Sequence, residues 1–173
     1  MTEEIRVDER YSFWNGQLEK LGDQDPLVVL GATPDRLRHQ LDAHSEAAWR
    51  RAPAPGKWSP LQLASHLLDI EWVFGFRMRT VLWDEKPRLM GMDHDAWVDG
   101  QKGHDATPAE RVESFGFVRE ANLRLWRRLT PTDLARVGVH DDAGLELELG
   151  MLQKIQAGHD LWHLEKMDAM LAR

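Results

Sequence analysis

Ser59-Pro60-Leu61-Gln62-Leu63-Ala64-Ser65-His66-Leu67-Leu68-Asp69-Ile70-Glu71 opens a helix and carries a histidine into its apolar face. A serine side chain accepts from the free N–H groups of a first helical turn, and a proline at the first helical position gives up an N–H that has no helical partner anyway. Leu63, Leu67, Ile70 and Phe74 then recur at helical spacing, so the pattern predicts a helix running to about Trp83 with one core-facing stripe. His66 interrupts that stripe in the second turn. A buried polar atom without a partner costs roughly 1–3 kcal/mol, so an imidazole placed there needs something to bind, and a metal ion is one such partner.

A second stretch supplies the rest of that argument. In Gly158-His159-Asp160-Leu161-Trp162-His163-Leu164 two histidines stand four apart, on one helix face, with Cβ atoms roughly 5–6 Å apart and both rings able to reach one cation. They lie in the stripe of a helix expected over about Leu147 to Leu171, together with Leu152, Ile155 and Met170. His66, from another helix, is the best candidate for a third ligand.

Two further helices complete the pattern. Thr33-Pro34-Asp35 reads as a helix start, with Leu37, Leu41, His44 and Ala48 on one face and a stop near Ala52-Pro53-Ala54-Pro55-Gly56. Thr107-Pro108 with Glu110 opens a helix to about Leu129, whose core face reads Val112, Phe115, Val118, Asn122, Leu125 and Leu129. A loop from Asp84 to Thr107 separates the two central helices, and Pro131, Gly138 and Asp141-Asp142-Ala143-Gly144 mark the connection to the last. Each helix has about 20 residues, near 30 Å, and no convincing strand alternation intervenes, which favours an all-α four-helix bundle. A short helix around Tyr11 to Leu21 is expected to pack alongside, so that residues 1–26 form a partly helical extension and residues 27–173 a single domain.

Composition narrows the chemistry. No cysteine is present among 173 residues, which removes disulfides, thiolate ligands and cysteine nucleophiles, and leaves imidazole, carboxylate and water to hold any ion. Met1 to Glu9 is acidic and polar, and no apolar run approaches the ~20 residues of a membrane span, so a soluble cytoplasmic protein is expected. The net charge of −7, with arginines scattered among carboxylates, opposes nucleic acid as a partner. Of eight tryptophans, Trp49, Trp72, Trp126 and Trp162 are expected to be core anchors. A ferritin-like di-iron centre is excluded, because it needs paired Glu-x-x-His motifs and only Asp160-x-x-His163 approaches one.

Lys57-Trp58-Ser59-Pro60 through His66 to Glu71, taken with Gly158 to Leu164 and the loop phrase Gly91-Met92-Asp93-His94-Asp95-Ala96-Trp97, resembles the DinB/YfiT-like family of metal-binding four-helix bundles. The resemblance covers about Leu18 to Leu171. It implies an up-down-down-up bundle, frequently a homodimer, with His66, His159 and His163 as ligands of zinc, nickel or a similar divalent ion. It also implies one of two fates: a metal-dependent thiol S-transferase or hydrolase, or a bundle without catalysis that acts in stress responses through protein contacts. Three imidazoles leave coordination positions open, so a bound water or a substrate thiolate is the expected reacting group. A chain without cysteine requires an external low-molecular-weight thiol for any transfer. Asp69 is the preferred carboxylate to orient His66, and His44, Asn122, Asp93 and Trp97 are candidates to line or cover the pocket. His39, His94, His104 and His140 fall on expected surface or loops and are read as bystanders.

Overall fold

A computed structural model describes residues 12–141 and 144–173. The expected short helix is α1 (Ser12–Leu21), with Tyr11 outside the described residues. The four long helices are α2 (Pro26–Ala43), α4 (Pro60–Trp83), α6 (Pro108–Trp126) and α8 (Leu149–Leu171); α3 (Glu46–Arg50), α5 (His94–Gly100) and α7 (Pro131–Leu134) are short. Ser59 and Thr107 form full capping boxes with Gln62 and Glu110, so the two central helices begin where side-chain chemistry satisfies their first N–H groups.

The first long helix departs from the sequence expectation. It starts at Pro26, capped by Asp25, rather than at Pro34, and it ends at His44, where Ser45 caps a separate short α3. Pro34 therefore lies inside α2, where a proline ordinarily destabilises by leaving the carbonyl four residues earlier without its helical donor. Here that carbonyl, Leu30 O, accepts from the buried Arg119 guanidinium at 2.9 Å. A tertiary contact replaces the missing helical bond.

Cross-helix contacts give the direction of each helix. Thr33 meets Asp160 and Gln40 meets Asp168, so α2 and α8 run parallel. Arg119 meets Glu71 while Asn122 lies over Gly75, so α4 and α6 also run parallel. His66 meets His159 and Glu71 meets Gln156, which makes α4 and α8 antiparallel. The result is an up-down-down-up four-helix bundle in which α2 and α4 each pack between α6 and α8.

The parallel α4–α6 pair requires its connection to return the length of the bundle, and the crossing carries α5 along α4. At the far end lies an unexpected three-stranded sheet, β1 (Arg88–Leu89), β2 (Val137–His140) and β3 (Leu145–Glu148), in the order β1-β2-β3. The first pairing is parallel and the second antiparallel, with Val139 opposite Glu146. Val137 to His140 and Leu145 to Glu148 alternate around Asp141 to Gly144, with Gly144 at φ +60°, a hairpin signal too short to outweigh the long helical patterns.

The core has two apolar clusters. One contains Leu30, Phe74, Met78, Leu123, Trp126 and Leu152, and the other Leu37, Trp49, Leu67, Phe115, Leu164 and Met167. Between them along every helix lies a buried polar layer. Arg119 donates to Glu71 Oε2 and Asp160 Oδ2, both at 2.6 Å; Asn122 and Gln156 donate to Glu71; Thr33 donates to Asp160. Burial alone would lower the Arg119 pKa, but Asp160 and Glu71 outweigh it and raise it, so the guanidinium stays charged. One cation thus joins α6 to α2, α4 and α8. Gly158 gives α1 its seat on α8: a Cβ there would overlap the Gln17 backbone carbonyl. Trp49 and Trp126 are core residues as expected, whereas Trp72 is 59% exposed and Trp162 is half-buried.

Candidate metal centre

His66 on α4 faces His159 and His163 on α8, and one nitrogen from each ring lies within 4.8 Å of the other two. His66 Nε2 and His159 Nε2 are 3.1 Å apart. Two imidazole nitrogens about 2.0–2.1 Å from one ion would be separated by about 2.8–3.4 Å between octahedral and tetrahedral geometry, so this pair is already at ligand spacing. All three histidines are buried, neither nitrogen of His163 has a hydrogen-bond partner among the described residues, and the Nε2 atoms of His66 and His159 face each other. Such orphaned nitrogens are costly in a core and natural in a donor set. A borderline divalent ion fits them.

Electrostatics act in the same direction. Burial, then the nearby His94, lowers His66 from 6.5 to about 3. His159 and His163 are also held well below the ordinary histidine value, by burial first and by neighbouring histidines second. Neutral rings present lone pairs, which is the form that binds metal. Trp58 packs against His66 with centroids 4.9 Å apart, and Trp162 lies edge-on to His163 at 4.6 Å. The histidines form the floor of a cavity of about 780 Å3, whose walls include Trp58, Leu63, His94, Trp162 and Met170.

The other sequence candidates sit elsewhere. Asp69 accepts from Gln101, which also donates to Trp97 O, and makes no hydrogen bond to His66. Burial raises the Asp69 pKa against the opposing Gln101 bond and Arg111 charge. Asp69 thus anchors the crossing segment instead of a histidine ring. Asn122 belongs to the polar layer beside Glu71. His44 ends α2, with its Nδ1 against Gln40 O, away from the cavity. Asp93 caps α5 through Ala96 N, and Trp97 is a half-buried residue of that helix; neither lines the cavity.

Two residues, one at the cavity and one in the core, escaped the sequence reading. His94, taken there as a bystander, lines the cavity with its ring edge-on to His66 and centroids 4.9 Å apart. The crossing forced by the parallel α4–α6 pair delivers it, and the loop phrase containing it was the available signal. Arg119, which the sequence reading did not single out, is 1% exposed. The spacing Val112, Phe115, Arg119, Asn122, Trp126 would have put it on the core face.

No curated protein matches the chain in sequence. In structure it is similar to YfiT from Bacillus subtilis, described as a probable metal-dependent hydrolase with an unusual four-helix bundle topology. The likeness has a TM-score of 0.75 and spans 99% of this chain and 94% of that one, at 16% sequence identity. At that identity it is a likeness of fold. The sequence itself matches the DinB superfamily model over residues 30–167, and the chain belongs to the DinB superfamily.

Proposed function

We propose that this chain is a divalent-metal-dependent enzyme acting on a small molecule. In this reading His66, His159 and His163 hold zinc or nickel, and the reaction is a hydrolysis or the transfer of an external low-molecular-weight thiol. The observation that carries it is the convergence of three buried, neutral imidazoles on one point in an open cavity. A divalent ion with open coordination positions supplies Lewis-acid polarisation and lowers the pKa of a bound nucleophile. The chain contributes the rest. Trp58 and Trp162 shield the histidine rings from water, and His94 at the cavity wall offers an imidazole to a substrate proton. With no cysteine in the sequence, a transfer reaction takes its sulfur from a cosubstrate.

Metal content per chain tests the reading, measured by elemental mass spectrometry on protein purified without chelator. Wild type is expected to carry close to one equivalent, and His66→Ala and His159→Ala to lose it while remaining folded. Ester and amide hydrolysis, and thiol-dependent consumption of electrophiles, then separate the two reactions. Wild-type protein that takes up no zinc, nickel, iron or manganese overturns the proposal.

A homodimer is part of the same reading. Trp72, Phe76 and Trp83 are 59%, 61% and 85% exposed, and at about 100° per residue they fall within about 40° of one another on α4. Light scattering is expected to give twice the chain mass, and a monomer after Trp83→Glu. No helix among the described residues is long and apolar enough to cross a membrane, and the net charge of −7 supports small molecules over nucleic acid as partners.

A further inference from the structure

The cavity above the three histidines carries charge opposite to that of the chain. Lys57, Lys166 and Arg173 line it, against one carboxylate, Asp95, in a protein of net charge −7. None of the three cations enters an ion pair among the described residues. Lys166 lies over the Trp162 ring, its Nζ 3.2 Å from the ring centroid, which fixes the ammonium at the wall of the cavity. Burial first and then the Lys57 charge hold the Lys166 pKa below its ordinary value. Two ammonium groups lining one largely apolar cavity, neither of them in an ion pair among the described residues, are an arrangement an anion relieves.

We propose that Lys57 and Lys166 form an anion subsite of this cavity, and that its ligand is a small organic anion, a carboxylate or phosphate with an apolar body. The anionic end lies between the two ammonium groups, the body packs against Trp58, Trp162 and Met170, and the far end reaches the histidines. This names the substrate class of the enzyme proposed above and rests on that reading for the chemistry, but not for the binding.

Calorimetric titration tests it with 3-phenylpropanoate, 2-phenylethyl phosphate and the neutral 3-phenylpropanamide. The titrations use wild type and the Lys57→Met/Lys166→Met double variant, each zinc-loaded and metal-free. Wild type is expected to bind at least one of the anions about tenfold more tightly than the amide, the worth of one charge-assisted contact, in both metal states. The preference is expected to fall below about threefold in the double variant, whose zinc content stays that of wild type. Which anion wins identifies the headgroup. Equal affinities of anions and amide in wild type overturn the proposal. So does a preference that survives in the double variant, or one seen only with zinc, which assigns the anion to the ion. A protein that takes up no zinc yet keeps the lysine-dependent preference refutes the metal reading and leaves the subsite standing.

Discussion

Acidification of the metal-free protein gives the sharpest test of the three-histidine cluster. An unfolded chain protonates its histidines near pH 6.5, whereas in the fold His66 is held down to about 3 and His159 and His163 well below their ordinary value. A base whose folded pKa is depressed contributes its full stability above the unfolded pKa. Below it the unfolded state binds more protons, and stability falls with pH. Each pH unit below 6.5 costs about 1.4 kcal/mol per histidine kept neutral. At pH 5 His66 alone therefore costs about 2 kcal/mol, and His159 and His163 add to it in the same direction, against a total of about 5–15 kcal/mol for a typical domain. Urea denaturation of chelated protein at pH 7.5, 6.5, 5.5 and 5.0 reads this directly, because few carboxylates titrate in that interval. The triple variant His66→Asn/His159→Asn/His163→Asn supplies the baseline. Zinc-loaded wild type is expected to start higher and to converge on the metal-free curve as protons displace the ion. A metal-free wild type whose stability tracks the triple variant across the interval would refute the picture of three buried neutral rings.

Other consequences follow from the same geometry. Arg119→Met leaves Glu71 and Asp160 buried without their cation and strips the donor from Leu30 O; it is expected to cost about 3–5 kcal/mol by urea denaturation. A cost under 1 kcal/mol would show that the polar layer does not depend on the charge. Gly158→Ala drives a methyl into the Gln17 carbonyl and is expected to destabilise by about 1–3 kcal/mol, although alanine is the better helix former; a gain in stability would place α1 off α8. His94→Ala is expected to keep wild-type metal content, since its ring is outside the converging set, while lowering turnover. Loss of the metal in that variant would make His94 a ligand.

The helix starts at Ser59 and Thr107 were legible because a capping box and an N-terminal proline act within one turn, and nothing distant alters them. The start of α2 was misread, because Pro34 looks like a boundary until Arg119 is seen satisfying Leu30 O from another helix. The three histidines were legible as inward-facing residues, since helical spacing fixes the face on which His159 and His163 stand. Their meeting with His66 depends on the antiparallel packing of α4 and α8. Asp69 was assigned to His66 by proximity in sequence, but its carboxylate binds Gln101 from the crossing segment.

By itself, then, the sequence determined the helices, their apolar stripes and the residue types available to a metal, because capping and periodicity are local. Only the tertiary structure decided that α4 and α6 run parallel, which sends the intervening chain back along the bundle and sets His94 beside His66. It also decided that Arg119 lies buried among Glu71, Asp160 and Leu30 O, and that Lys57 and Lys166 line one cavity. Each of these joins side chains tens of residues apart, and which of them come together is set by how the helices pack.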